Sequence, residues 1–214
     1  MAKPRHGERI LDTPQVLEEG VAWLSDREPR FGVALEGLAP LTLRRRPDGF
    51  PALLRSVVSQ QLSTAAAASI LAKVEAAGLD DAAALLAASD EALRAVGVSR
   101  QKAGYLRGIA ATDVAYEALR DEPTDVVVDT LVALPGIGRW TAEIYAMFAL
   151  GRADAFAAGD LGLQHGARLL FDLAERPNER TLRNLAEAWS PWRGVAARIL
   201  WASYDASKAN TTPN

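Results

Sequence analysis

The sequence predicts an all-α protein, and three observations lead to this prediction. Apolar residues recur at helical spacing, most clearly in residues 50–78, where they form a stripe that a helix would bury. Short breaks rich in polar residues, glycine or proline separate one such segment from the next. No strand-like segments alternate with helical ones in the way that builds a parallel sheet. At 214 residues, the chain is long enough to bury most of its apolar surface.

Taken in order, the apolar spacing and the breaks between segments define a series of helices. The predicted helices cover residues 14–27, 50–60, 63–77, 81–87, 89–96, 99–119, 125–133, 139–149, 161–174, 179–188 and 191–206. Residues 29–47 are the least regular part, and we expect a short extended piece there before Pro47. The final residues, "SKANTTPN", have the composition of a frayed tail.

Composition excludes several classes of site. The chain has no cysteine, so disulfides, thiolate zinc sites, iron–sulfur clusters and cysteine nucleophiles are absent. It has no run of about 18 uncharged apolar residues and no apolar core of a signal peptide, so we expect a soluble, cytoplasmic protein without a membrane partner. The net charge of −3 offers no general attraction to nucleic acid, so any DNA binding must come from a local patch.

A tight hairpin is predicted at residues 134–139, "LPGIGR". Pro135 disfavours helical geometry at the residue before it, which ends the preceding helix. Gly136 and Gly138 permit positive φ values and a close backbone approach. The next helix begins near Arg139, and the positive end of its dipole can bind a phosphate without reading base sequence. An ordinary helix–turn–helix corner, with glycines for packing only, is the alternative.

The longer pattern around this hairpin resembles a known family. "LPGIGRWTAE" is similar to the helix-hairpin-helix of base-excision DNA glycosylases, and Asp160 in "AAGDLGLQ" stands at the spacing of that superfamily's catalytic aspartate. "SVVSQQLS" and "WSPWRGVAARILW" are similar to the helix-start and C-terminal motifs of the bacterial, inducible alkyl-purine (3-methyladenine) DNA glycosylases. The resemblance covers residues 50–205, with the motifs in the expected order.

The resemblance implies a two-lobed helix-hairpin-helix glycosylase fold, with DNA held across a cleft. One lobe would comprise residues 1–49 and 150–214, and the other, residues 50–149, would end in the hairpin. The stretch before Phe50 is too short for the extra N-terminal mixed α/β domain of longer relatives, so we expect a compact version of the fold.

Asp160 is the residue to which the resemblance assigns catalysis. A carboxylate beside C1′ stabilises the oxocarbenium-like transition state of N-glycosidic cleavage and can orient or deprotonate water. Asp160 also precedes a predicted helix, so an N-cap is the structural alternative, and the two roles are compatible. Trp140 stands where backbone-cleaving relatives hold a Schiff-base lysine, and no lysine lies between Lys102 and Lys208. The resemblance therefore implies a monofunctional enzyme that leaves an abasic site.

The resemblance assigns the base pocket to two aromatic side chains, which would form its walls, and to residues near them. Trp140 and Trp201 match the family's aromatic positions, where a ring face would contact a cationic base, although core packing is the alternative for both. Ile144, like Ala202, stands where relatives add further rings, so we expect a roomier pocket. Gln61, like Gln60, carries an amide that can bond base edges or backbone, and N-terminal capping or hydrogen bonding between the lobes is the alternative.

The remaining expectations concern the grip on DNA. A phosphate would be held by the backbone of the hairpin, and Gln60 and Leu79 would contact DNA, Leu79 as a wedge unless it folds inward. The predicted DNA-binding set is Gly136, Ile137, Gly138, Arg139, Thr141, Gln60 and Leu79. The resemblance also implies a monovalent cation, Na⁺ or K⁺, on the carbonyls of Val132, Leu134 and Ile137, and no cofactor is required.

Several residues and partners stay open at this point. The two histidines, His6 and His165, cannot form a transition-metal site, and a solvated position suits His165 better than a DNA contact. The run Arg44–Arg46 is interpreted first as solvated charge and second as a phosphate contact. We expect a monomer that acts on damaged double-stranded DNA, with an abasic-site endonuclease acting afterwards. The alternatives are a glycosylase for an etheno adduct, uracil or a mismatch, and a non-catalytic DNA-binding module.

Overall fold

The structure, a computed structural model, describes residues 7–211. Over this range the chain is helical with irregular connections, and its β structure is a single antiparallel bridge between Ile10 and Arg152. The predicted all-α class is confirmed. None of the helices in this range is both long enough and apolar enough to cross a membrane.

The helices follow one another closely along the chain. They are α1 (Pro14–Arg27), α2 (Pro29–Glu36), α3 (Phe50–Ser59), α4 (Thr64–Ala76), α5 (Ala82–Ala87), α6 (Asp90–Ala95), α7 (Arg100–Ala111), α8 (Tyr116–Leu119), α9 (Thr124–Val132), α10 (Arg139–Phe148), α11 (Leu161–Leu170), α12 (Glu179–Ala186) and α13 (Arg193–Thr211), with a 3₁₀ turn at Glu187–Trp189. The boundaries agree with most of the predicted helices to within a few residues.

Three predictions about these elements are wrong. Residues 29–36 form α2, because Glu28 caps the Arg30 amide and Pro29 suits the first turn of a helix. The predicted helix 99–119 is broken after α7, where the Thr112 hydroxyl donates to the Gly108 carbonyl at 2.9 Å and satisfies the last turn. The predicted tail is helical from Ser207 to Thr211, and its last three residues lie outside the described residues.

The chain divides into two compact units. The terminal unit combines the chain up to Arg45 with the chain from Ala146 onwards, and the central unit comprises Arg46–Tyr145. In the terminal unit α13 packs against α1, α2 and α11. In the central unit α7 packs against α3, α5 and α6, and α3 packs against α4. Each unit therefore has a long helix at the centre of its packing.

Asp48 joins the beginning and the end of the central unit. Its carboxylate accepts hydrogen bonds from the Tyr145 hydroxyl and, at 2.6 Å each, from the Gly49 amide and the Arg120 Nε. Burial, together with the bond to Asp48, raises the pKa of Tyr145 well above its usual range, so the phenol stays protonated. This tie fixes the C-terminal part of α10, the helix that follows the hairpin.

Candidate functional site

The hairpin joins α9 to α10 through a tight reversal of the backbone. The Leu134 amide donates to the Leu131 carbonyl at 3.0 Å, and the Ile137 amide donates to the Leu134 carbonyl at 3.2 Å. Gly136 has a φ of 74°, in the left-handed region that glycine adopts without strain. Because α10 begins at Arg139, the positive end of its dipole lies at the end of the hairpin.

Helix α7 packs against the hairpin, and this packing explains why position 136 is a glycine. A Cβ atom on Gly136 would lie 2.5 Å from the ring of Tyr105, and one on Gly108 would lie 2.6 Å from the ring of Pro135. The Gln101 side-chain amide donates to the Tyr105 hydroxyl at 2.8 Å, which fixes the ring. Glycine is therefore required at position 136 by the backbone and by packing alike.

Gly138 differs from Gly136 in both respects. Nothing lies within 4 Å of a Cβ atom built on it, and its φ is outside the left-handed region. The prediction that both glycines take positive φ is thus correct for Gly136 and wrong for Gly138. The open space beside Gly138 leaves room for an anion at the start of α10. Ile137 and Thr141 have buried side chains, so contacts between these two residues and a ligand would involve the backbone.

The predicted side chains on α10 have contrasting environments. Trp140 is 41% exposed, which is a large fraction for tryptophan, whereas Ile144 one turn later is buried. Arg139 lies at the surface, and its Nε donates to Oε1 of the buried Glu143 at 3.0 Å. Trp140 and Arg139 can therefore meet a ligand in solution, and Ile144 belongs to the core.

Asp160 begins α11, and two donors meet on one of its oxygens. Oδ1 accepts a hydrogen bond from the Leu163 amide at 3.0 Å and another from Nε1 of Trp201 at 2.8 Å. The N-cap expected as the structural alternative is therefore present. The indole donor adds a second constraint that an ordinary cap lacks.

Trp201 is itself held in a layered arrangement of side chains. Its ring stacks on Phe148 with the centroids 5.7 Å apart, and the Arg198 guanidinium lies 5.0 Å from the centroid of the Phe148 ring. Arg198 donates to the carbonyls of Gly194 and Leu43 at 2.6 and 3.0 Å, and burial lowers its pKa to about 10, with the charges of neighbouring arginines contributing. The indole N–H is consequently fixed in direction towards Asp160.

Two glycines bring α11 close to α13. A Cβ atom on Gly166 would lie 2.2 Å from the Leu200 carbonyl oxygen, so only glycine fits there. A Cβ atom on Gly162 would lie 3.0 Å from both Asp160 Oδ1 and the Trp201 ring. This close packing brings the indole within hydrogen-bond distance of the carboxylate.

The two glutamines after α3 have different surroundings. Gln60 Nε2 donates to the Gly136 carbonyl at 3.0 Å, so its side chain forms a hydrogen bond within the central unit, which is neither the expected helix cap nor a bond between the lobes. Gln61 is exposed and has a φ of 57°, which is uncommon for a residue other than glycine.

Leu79, the predicted wedge, folds inward. Its side chain is buried and its amide donates to the Val74 carbonyl at 2.9 Å, so it closes the end of α4 rather than projecting from the surface. The alternative stated for this residue is the correct one.

The secondary candidates also have defined places. The ring of His165 stacks on Tyr204 with the centroids 5.0 Å apart, whereas His6 lies outside the described residues. Between residues 7 and 211, no cluster of three or more histidine or acidic side chains is arranged to hold a metal ion. Within the arginine run, Arg45 is exposed and also donates to the Ala149 carbonyl at 2.9 Å.

Comparison with known families gives a match over more than half of the chain. Residues 54–191 match the HhH-GPD superfamily base excision DNA repair protein family. The chain belongs to this superfamily. The matched range includes the hairpin, Trp140 and Asp160, and it ends before Trp201.

Similar HhH-GPD proteins cover nearly the whole chain. A DNA-3-methyladenine glycosidase of known structure from Bacillus halodurans is 33% identical, covers 94% of each chain and has a TM-score of 0.78. The 3-methyladenine DNA glycosylase Mag1 of Schizosaccharomyces pombe, in complex with abasic DNA, is 26% identical, covers 92% of this chain and 100% of that one, and has a TM-score of 0.76. The alkylbase DNA glycosidase-like protein mag2 of the same yeast is 26% identical over 83% of this chain and 89% of its own. These likenesses confirm the predicted helix-hairpin-helix glycosylase fold.

Two residues of the central unit have surroundings that the sequence did not reveal. Leu62 is 39% exposed in the loop between α3 and α4. It precedes Ser63, the N-cap of α4, and that position usually signals a packed leucine, so the sequence pointed away from exposure. The contact of Tyr105 with Gly136 joins residues far apart in the chain, and no local pattern reveals it.

Proposed function

We propose that this HhH-GPD protein is a monofunctional DNA glycosylase that releases alkylated purines, chiefly 3-methyladenine, from duplex DNA. The observation that carries the proposal is the Asp160 carboxylate, held at a helix start by the Leu163 amide and the Trp201 indole. The names of the similar proteins from Bacillus halodurans and Schizosaccharomyces pombe support the choice of base.

Asp160 supplies the negative charge that this reaction needs. As the bond from C1′ to the base breaks, positive charge develops on the sugar, and a carboxylate placed in advance stabilises it. The same carboxylate orients or deprotonates the attacking water. An alkylated purine is already cationic, so it departs as a neutral base and needs no general acid. One carboxylate therefore suffices, and the product is an abasic site.

The aromatic residues fit a cationic base. We infer that Trp140 presents its face to the alkylated ring, because an indole attracts a desolvated cation more strongly than a neutral purine. Trp201 contributes mainly through the bond from its indole to Asp160. The absence of a lysine between Lys102 and Lys208 supports base release without cleavage of the sugar–phosphate backbone.

We assign the binding of a DNA phosphate to the hairpin. The exposed Gly138 and the start of α10 offer backbone amides and the positive end of a helix dipole, and Arg139 adds a cationic side chain at the same place. A monovalent cation on the carbonyls of Val132, Leu134 and Ile137 is compatible with the backbone. The Leu134 carbonyl accepts one amide hydrogen bond, and a carbonyl oxygen has two lone pairs.

Base flipping requires a side chain to fill the space in the stack, and Leu62 is the candidate that the structure favours over Leu79. Leu62 is exposed and apolar, whereas Leu79 is buried. We infer that the protein works as a monomer on damaged double-stranded DNA and that an abasic-site endonuclease processes its product.

Single-turnover base release from methylated duplex DNA tests the proposal, with the native protein compared with Asp160→Asn. Asparagine keeps an oxygen for the helix cap but loses the charge, so we expect DNA binding to persist and release of 3-methyladenine to fall by about 10³-fold. Asp172→Asn is the matched control, because Asp172 is exposed and asparagine also tolerates its φ of 48°.

Three results would contradict the proposal. Equal rates for native protein and Asp160→Asn would remove this residue from catalysis. Release by the native protein only from duplexes containing etheno adducts, uracil or mismatches would reassign the base, and binding without any release would favour a DNA-binding module.

A further inference from the structure

We propose that Lys102 and Gln60 form a brace that holds the turn carrying Leu62 and ties it to the hairpin, so that wedge and phosphate grip meet DNA as one rigid body. The inference rests on the proposed glycosylase function and adds two positioning residues to it. Its elements all lie in the central unit.

The turn that carries Leu62 is strained. Ser59 to Leu62 form a reversal closed by the bond from the Leu62 amide to the Ser59 carbonyl, at 3.3 Å. Gln60, at φ −55° and ψ 131°, and Gln61, at φ 57°, have the φ signs of a type II turn, which favours glycine or asparagine at the third position. A glutamine there is strained, and such strain persists only where the surroundings impose it.

Lys102 provides one side of this support. Its ammonium donates to the Val58 carbonyl at 2.7 Å and to the Gln60 carbonyl at 2.8 Å. Both acceptors lie at the C-terminal end of α3, where carbonyls lack helical partners and a cation is favourable. Lys102 is half-buried, so the lysine is held against the protein rather than extended into water, and this burial lowers the pKa of its ammonium. The bonds from Lys102 therefore fix the first half of the turn.

Gln60 provides the second part of this support, the link from the turn to the hairpin. Its backbone carbonyl is bound by Lys102, while its side-chain amide donates to the Gly136 carbonyl at 3.0 Å. Gly136 is locked in turn by its positive φ and by the ring of Tyr105. One glutamine thus connects the turn carrying Leu62 to the rigid part of the hairpin.

This connection assigns the brace a specific task. An apolar side chain that enters a base stack must separate stacked bases, and a side chain on a loose loop would give way instead. Anchoring the hairpin on a phosphate would place Leu62 at a fixed distance from that phosphate. The brace therefore matters when the lesion is paired and stacked, and matters little when the nucleotide is already out of a duplex.

The test compares base release from one 3-methyladenine oligonucleotide as a duplex and as a single strand, under single-turnover conditions with saturating protein. For Gln60→Ala and Lys102→Met we expect the duplex rate to fall about tenfold and the single-strand rate to change less than twofold. Lys102→Arg, which keeps a charged donor, should recover most of the duplex rate.

Exposed residues outside the brace serve as controls: Gln15→Ala on α1 and Lys73→Met on α4 should leave both rates unchanged. Thermal unfolding of every variant separates loss of fold from loss of function, and Gln60→Ala remains informative if Lys102→Met does not fold. Equal losses on duplex and single strand, or no loss on either, would overturn the brace while leaving the glycosylase function intact. If the native protein released no base at all, the proposed function would fail and the brace with it.

Discussion

The hairpin and the carboxylate site are built in opposite ways. At the hairpin, the groups proposed to bind a phosphate belong to the backbone, and glycines keep them accessible. Gly136 permits the turn, and Gly138 leaves open space beside the backbone. At the carboxylate, the geometry depends on side chains: Trp201 donates a hydrogen bond to Asp160, and Phe148 supports the Trp201 ring.

This difference determines how each region should respond to mutation. At the hairpin, adding a single methyl group is the disruptive change. At the carboxylate, removing a single donor is the disruptive change, and small additions are tolerated where neighbours can move. The two kinds of substitution therefore test the two regions separately.

Gly136→Ala should have the largest effect among the hairpin substitutions, and the effect is on stability. The methyl group would enter the left-handed region and meet the ring of Tyr105 at 2.5 Å, and together these should lower the free energy of unfolding by about 3 kcal/mol. Urea denaturation measures the change. Gly104→Ala on α7, where a Cβ atom meets nothing within 4 Å, is the control and should stabilise the helix slightly. Equal stability of the two variants would contradict the packing argument.

Gly138→Ala should separate binding from folding. Its Cβ atom has open space and its φ is ordinary, so the free energy of unfolding should change by less than about 0.5 kcal/mol. The methyl group would nonetheless occupy the path of a phosphate, and we expect the Kd for a duplex with an abasic analogue to rise about tenfold at fixed salt. Fluorescence anisotropy measures this, and an unchanged Kd would assign the phosphate to another surface.

Much of the fold could be predicted from the sequence because its signals are local. Apolar spacing and caps located most helices, and Pro135 and Gly136 marked the hairpin. The failures occurred where a short-range bond competed with the pattern. Glu28 caps a helix in a segment that is predicted to be irregular. The Thr112 hydroxyl donates to a carbonyl at the end of α7, although the apolar spacing continues past this point.

The residues of the candidate site could be predicted from the sequence, but the contacts between them could not. Asp160 and Trp201 were found as separate residues by resemblance, whereas the bond between them depends on how closely α11 packs against α13. Gln60 illustrates the same limit, since its partner Gly136 lies 76 positions away in the chain. Leu79, the predicted wedge, is buried and Leu62 is exposed, because side-chain burial in loops depends on contacts that no sequence period encodes.

Trp201→Phe removes one donor and keeps a ring. Phenylalanine can still stack on Phe148, but the bond of 2.8 Å to Asp160 Oδ1 is lost. We expect the single-turnover release rate to fall about tenfold while the Kd for abasic duplex stays constant. Trp23→Phe on α1 is the control for loss of an indole elsewhere and should leave the rate unchanged. A higher Kd for abasic duplex with an unchanged release rate would instead assign Trp201 to DNA binding.

Gly162→Ala should have the smallest effect and tests the tolerance of the carboxylate site to added atoms. The new methyl group would lie 3.0 Å from both Asp160 Oδ1 and the Trp201 ring, so each must move by a few tenths of an ångström. Because alanine favours a helix, stability should be kept while the release rate falls about threefold. Gly166→Ala gives the contrast, since its methyl group would meet the Leu200 carbonyl oxygen at 2.2 Å and should destabilise the fold. If Gly162→Ala matched Gly136→Ala in lost stability, the carboxylate site would be as intolerant of added atoms as the hairpin, and the contrast between the two regions would fail.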